Sequence, residues 1–241
     1  MTSQPSATAD QLDGFVLGFP DLLPGDILLF RAVDPDPVTR RIARSTDSPY
    51  THAAVYLGGM QVLEAGGKVV EIRQLDRSDE EDCIIGVFRS QCGFSDDRVR
   101  ELKAFAASLA GNRPDYDKDG LKNFRAMRTK FEEELFDRLR LDYGKTMARE
   151  ELERRPYFCS SLVVAAYIVC GIIGDTAQLA YQPDAFSPAD LHREPTFGWF
   201  LGYVTDPSNE ISADDPLLNA TSWRDASDPQ DRWWRRGAAA S

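Results

Sequence analysis

The chain is short of the residues that most often announce chemistry. It has two histidines and four cysteines in 241 residues, and no two cysteines form a C-x-x-C pair. A tetrahedral zinc site needs about four ligands at close spacing, so this scatter places no metal, and nothing in the sequence calls for a cofactor. Cys159 and Cys170 fall on one expected helix, roughly 16 Å apart at the usual rise, too far for a disulfide. Cys83, Cys92, Cys159 and Cys170 therefore all read as reduced thiols, which suits a cytosolic chain.

Positive charge is also lacking. The formal net charge of −11 disfavours nucleic acid, whose phosphates need clustered Lys and Arg, and passive attraction to anionic lipid head groups. Long apolar runs are absent too: the longest, Leu162 to Ile173, falls short of the roughly 20 residues of a membrane span. The opening residues, Met1 to Thr8, have neither the basic start nor the apolar core of a secretory signal. The expectation is a chain made in the cytoplasm with no transmembrane segment, exported, if at all, by a dedicated secretion system. At 42% hydrophobic residues it can still bury a sizeable core, and its length suits one large domain or two small ones.

What is there reads as mixed α and β. Leu23-Pro24-Gly25-Asp26 is a turn into a strand at Ile27 to Phe30. Further strands are expected at Ala53 to Leu57, Gln61 to Ala65, Val69 to Arg73, Ile84 to Arg89 and Trp199 to Val204, with Asp76 to Asp82 as a charged loop. Ser95 caps a helix whose apolar face is Val99, Leu102, Phe105, Ala106 and Leu109, ended by Gly111. Short helices are expected near Val38 to Ala43 and Ser187 to Leu191. Residues 112–156 carry Leu121, Phe124, Met127, Phe131, Leu135 and Leu139 at helical spacing amid dense charge, an amphipathic helical insert. The helix from Cys159 to about Cys170 is apolar nearly all round, so it is expected to be buried. The division is a flexible N-terminus over 1–17, a catalytic domain over 18–204, and an acidic flexible tail over 205–241.

Three residues stand out against this background. Cys159 opens an apolar helix, where the positive end of the helix dipole and unpaired amides favour a thiolate and can receive an oxyanion. As a lone residue it is equally a small core side chain, the reading that fits Cys83 and Cys170. His52, at the start of a strand, can hold a thiol's proton near neutral pH, or make a structural hydrogen bond. His192, the alternative base, falls in a polar loop. Glu64 sits between Leu63 and Ala65, where a carboxylate needs a partner. That partner is His52, or an Arg or Lys at an exposed sheet edge.

Taken as an ordered set, Leu23 to Phe30, Thr51 to Gly58, Val62 to Ala65 and Tyr157 to Val163 resemble the circularly permuted branch of the NlpC-like, papain-fold cysteine hydrolases. The YiiX/YaeF-type proteins are the nearest group, with lecithin:retinol acyltransferases more distant. The likeness covers roughly residues 20 to 204. It implies an α+β, permuted papain-like fold: a curved antiparallel sheet packed against a cysteine-bearing helix and a second helix. It also implies Cys159 as nucleophile, His52 as base and Glu64 as third member, acting through a thioester intermediate. Gly111 to Asp117 resembles the family's G-x-x-Y-D turn with one residue added, and the insert up to Pro156 departs from compact members. The favoured substrate is an amide of a peptide or peptidoglycan fragment. A lipid-linked acyl group, hydrolysed or transferred, is the alternative, and a non-catalytic binding module the second; the insert or tail could contact a secretion system or another protein partner.

Counting residues adds a condition. A plain two-residue turn at Gly58-Gly59 puts His52 and Glu64 on opposite sheet faces. Pairing Ala54 with Glu64, through an odd-length connection or a bulge, puts both on one face as diagonal neighbours. The latter is the expectation.

Overall fold

The structure is a computed structural model and describes residues 15–223. Expectations for 1–14 and 224–241, the Trp233-Trp234 end included, lie outside the described residues. The fold is α+β. Its centre is an antiparallel sheet of β1 (Ile27–Ala32), β2 (His52–Gly58), β3 (Gln61–Gly66), β4 (Val69–Gln74), β5 (Cys83–Arg89) and β6 (Trp199–Val204), in the order β4-β3-β2-β1-β5-β6. The helices are α1 (Pro37–Thr46), α2 (Arg77–Asp82), α3 (Asp96–Asn112), α4 (Lys118–Leu141), α5 (Arg149–Leu152), α6 (Cys159–Val169) and α7 (Pro188–Arg193). None is long and apolar enough to cross a membrane.

Period-two alternation gives the sheet two buried faces. Ile27, Leu29, Ala53, Val55, Leu63 and Ala65 meet α6 and α3 on one side. Leu28, Phe30, Ala54, Tyr56, Val62 and Val87 form a second core on the other, with Leu22, Leu75 and Trp223. Helix α6 is enclosed as its composition requires: every residue from Leu162 to Tyr167 is fully buried. Each large apolar side chain there contributes roughly 1.5–3 kcal/mol on removal from water, which holds the cysteine end of the helix firmly against the sheet. Tyr167 adds a polar anchor, its hydroxyl donating to the Gly25 carbonyl at 2.9 Å.

The Pro24-Gly25-Asp26 turn is structural. Asp26 is buried and receives Arg89 Nε at 2.7 Å, Arg89 Nη2 at 2.6 Å and the Leu23 amide at 2.8 Å. This joins the start of β1 to the end of β5.

Three expectations needed correction. Residues 76–82 form a helix, not a loop, because Asp76 caps it, accepting from the Ser78 amide at 2.8 Å. Phe15 to Leu17, expected in the flexible N-terminus, join the fold: Phe15 stacks on Phe200, and the Leu17 amide donates to the Tyr203 carbonyl at 2.8 Å. Residues 205–223, expected to begin an acidic tail, are packed. Ile211, Leu217 and Trp223 are buried, and fully buried Asp215 accepts from Arg31 Nη1 at 2.7 Å and from the Tyr50 and Tyr203 hydroxyls. Leu217 fits because β5 has a glycine beneath it: a Cβ on Gly86 would come within 2.2 Å of Leu217 Cδ1.

The insert is partly integrated. Phe124 and Phe131 are buried, and Phe124 meets Phe158 edge-on just before the cysteine. Farther along α4, Phe136 and Leu141 are exposed.

Candidate active site

The β2–β3 hairpin positions two of the three expected residues. Ala54 lies opposite Glu64, Val55 opposite Leu63, Tyr56 opposite Val62 and Gly58 opposite Gln61. Leu57 is the extra residue, a bulge before a two-residue turn at Gly59-Met60, both at positive φ. The pairing of Ala54 with Glu64 is the expected one. The means is the bulge, since a third turn residue would have paired Leu57 with Gln61. His52 and Glu64 consequently share a face, and His52 Nε2 lies 2.9 Å from Glu64 Oε2.

The cysteine arrives from the other side. Helix α6 packs on the face of Ala53 and Val55, opposite the one from which His52 and Glu64 project. The two sides meet only where the strand begins. His52 is the first residue of β2, and the sulfur of Cys159 lies 4.0 Å from the carbonyl oxygen of the preceding residue, Thr51. The imidazole interacts with both neighbours. Burial alone would lower its pKa, but hydrogen bonds to Cys159 and Glu64, and their negative charges, raise it to about 10. Glu64 occupies Nε2, so Nδ1 is the ring nitrogen left for the sulfur.

Glu64 is buried, and burial would raise its pKa; hydrogen bonds and charges from His52 and Arg73 hold it instead at about 2. Arg73 Nε donates to Glu64 Oε1 at 2.9 Å, and its Nη1 to Asp79 Oδ2 at 2.9 Å. Glu64 has both partners at once, His52 on Oε2 and Arg73 chiefly on Oε1. The exposed sheet edge that the arginine reading assumed is corrected: Glu64 is buried, and β3 lies between β4 and β2. Arg73 was missed from sequence. Its signal is the next hairpin: Gly66 pairs with Val69, which puts Glu71 opposite Glu64 and Arg73 on the diagonal.

Helix α6 begins without a capping side chain, because its N-cap is Phe158. The amides of its first turn are thus not claimed by a side-chain cap. Tyr116, in the turn before α4, is close enough that the sulfur's negative charge, after burial, pushes its phenol above its ordinary value. Its place is fixed by the Tyr116 amide donating to the Lys68 carbonyl at 2.8 Å.

His192 is not part of this cluster. It lies on α7, its ring edge-on to Tyr50, and burial followed by the charge of Arg193 lowers it to about 4. Cys83 and Cys170 also stand apart, their thiols pushed by burial to about 11 and about 12. Cys92 is exposed. Compared with known proteins, the chain matches no protein-family model and no curated protein.

Proposed function

We propose that the protein is a cysteine hydrolase or acyltransferase acting on an amide bond of a peptide-type substrate. The observation that carries this reading is the imidazole of His52 held between a carboxylate and a thiol, with Arg73 fixing the carboxylate from behind. The sequence resemblance to permuted papain-like hydrolases supports it, since the same three residues fill the family's roles.

In this reading the sulfur of Cys159 adds to the substrate carbonyl carbon, and the negative charge passes to the carbonyl oxygen. The first-turn amides of α6, which no side-chain cap claims, are the donors this reading assigns to that oxygen. The carbon–nitrogen bond breaks as His52 gives its proton to the leaving amine, leaving an acyl thioester on Cys159. Water, or an acceptor amine, then gives a proton to His52 and adds to the thioester carbon; the carbon–sulfur bond breaks and the sulfur is released. Glu64 orients the ring and stabilises its positive charge throughout.

Acid quenching with a cell-derived peptide mixture, followed by intact mass and peptide mapping, tests the proposal. A peptide-sized adduct on Cys159 that hydroxylamine releases is expected. A fatty acyl adduct would transfer the reading to lipid substrates. No adduct on a correctly folded chain would favour a binding module.

A further inference from the structure

We infer that the cavity between the end of β1 and helix α1 is the subsite for the substrate's acyl-side residue, and that it selects one large apolar side chain. This deepens the proposed function and rests on it. The cavity holds about 260 Å³; Ala43, Pro49 and Ile84 give it apolar walls, beside Thr39, Thr51 and the charged Arg31, Arg40 and Glu210. Thr51 ties it to the chemistry: its carbonyl oxygen is 4.0 Å from the Cys159 sulfur, little more than the span of one residue. Thr51 is thus the residue that the cavity and the surroundings of the sulfur share.

The two sides of β2 decide which half of the substrate goes there. Thr51 and His52 are successive residues at the strand start, so their side chains project to opposite faces. The leaving amine must lie against the His52 ring, which protonates it. The acyl half is left with the Thr51 side, the face to which Ile84 and helix α6 belong.

Size decides the class. The volume accommodates about nine groups the size of a water molecule, enough for a leucine-, methionine- or phenylalanine-like side chain. It lies below the roughly 300–1,000 Å³ of sites that enclose a drug-sized ligand, and a long acyl tail would project into solvent. The exposed cation Arg40 lines the same cavity, which further disfavours a wholly apolar chain. The outer wall can adjust to its occupant. Helix α1 has no buried residue and is held at its end by Arg125, whose Nε and Nη2 donate to the Ser45 carbonyl at 3.0 and 2.7 Å.

The test needs no natural substrate. N-acetylated glycyl, leucyl and phenylalanyl chloromethyl ketones place their ketone where the scissile carbonyl would lie. The Cys159 sulfur attacks the methylene carbon, chloride leaves, and the thiol proton passes to His52 or solvent. Alkylation rates are measured on the full chain, on Ala43→Leu and on Thr39→Met, each divided by the rate with iodoacetamide, which has no side chain to place. The wild-type protein should prefer the leucyl or phenylalanyl reagent over the glycyl one by about tenfold or more. Both variants, which fill the cavity from successive turns of α1, should lose most of that preference while their iodoacetamide rate stays within about twofold. Equal rates with all three reagents, or a preference that survives both variants, would overturn the subsite and leave the thiol chemistry standing. A palmitoyl chloromethyl ketone that outpaces the leucyl reagent would overturn it in favour of lipid. If iodoacetamide does not modify Cys159, the proposed function fails and the subsite with it.

Discussion

His52 and Glu64 come within 2.9 Å of each other because Ala54, rather than Ala53, is the residue opposite Glu64. One residue of slip would carry the carboxylate to the helix-packed face, leaving a buried charge among Leu63's neighbours and the imidazole without its partner. The Leu57 bulge absorbs the odd residue between the two. Leu57 is itself buried, so the bulge is fixed by packing as well as by turn geometry.

The two histidines should titrate far from each other. His52 is raised to about 10 and His192 lowered to about 4. A proton on His52 therefore stabilises the fold fully below the unfolded value near 6.5, and that stabilisation is lost as pH rises through about 10. His192 acts in the opposite sense: its neutral form favours the fold above 6.5, and that contribution is lost as pH falls through about 4. Imidazole carbon-bound proton signals followed by NMR should show one residue changing in acid and one in alkali. A histidine titrating near 6.5 in the folded protein would contradict the environment assigned to that residue.

Replacing the carboxylate and replacing its arginine should have different signs. Glu64→Gln removes a negative charge from beside the ring and should lower the His52 titration by about one pH unit or more. Arg73→Ala removes a positive charge from beyond Glu64, so it should leave that titration unchanged or slightly raised, while freeing the carboxylate to move. Equal falls in both variants would mean that the ring responds to general disruption rather than to charge.

The Asp26–Arg89 pair should matter for stability alone. Asp26→Ala leaves a buried guanidinium without its carboxylate, a change that costs about 3–5 kcal/mol. The denaturant midpoint should fall accordingly, with the iodoacetamide rate of Cys159 preserved in whatever remains folded. A midpoint within about 1 kcal/mol of the wild type would show that the pair is dispensable.

Local signals made much of this fold legible. Strand β6 lies at Trp199–Val204 as its apolar run predicts, and α6 is enclosed on all sides as its composition requires. The same is true of the hairpin, because period two turns face-sharing into a count. What escaped was long-range. Residues 205–223 look polar in sequence, yet Asp215 is buried by two tyrosines and an arginine brought from three strands or their edges. No local window contains those partners. Arg73 is not legible from the β2–β3 hairpin alone, because its place beside Glu64 is set by the register of the next hairpin. Tyr116 falls in the turn resembling G-x-x-Y-D, but its closeness to the sulfur depends on how that turn folds back beside Tyr157, where the two form a bridge. A chain ending at Thr205 should consequently lose cooperative unfolding, which circular dichroism during thermal melting would detect; an unchanged transition would restore the tail reading.

The central claim, that Cys159 is a nucleophile activated by His52, is tested most directly by competition among the four thiols. A limiting amount of iodoacetamide is added to the folded protein at neutral pH and the modified cysteines are mapped by mass spectrometry. Burial keeps Cys83 and Cys170 protonated there, so the contest is between Cys159 and the exposed Cys92. Cys159 should be modified first despite its burial, and His52→Ala should slow it by at least tenfold without changing Cys92. Modification of Cys92 ahead of Cys159, or a Cys159 rate indifferent to His52, would contradict the account.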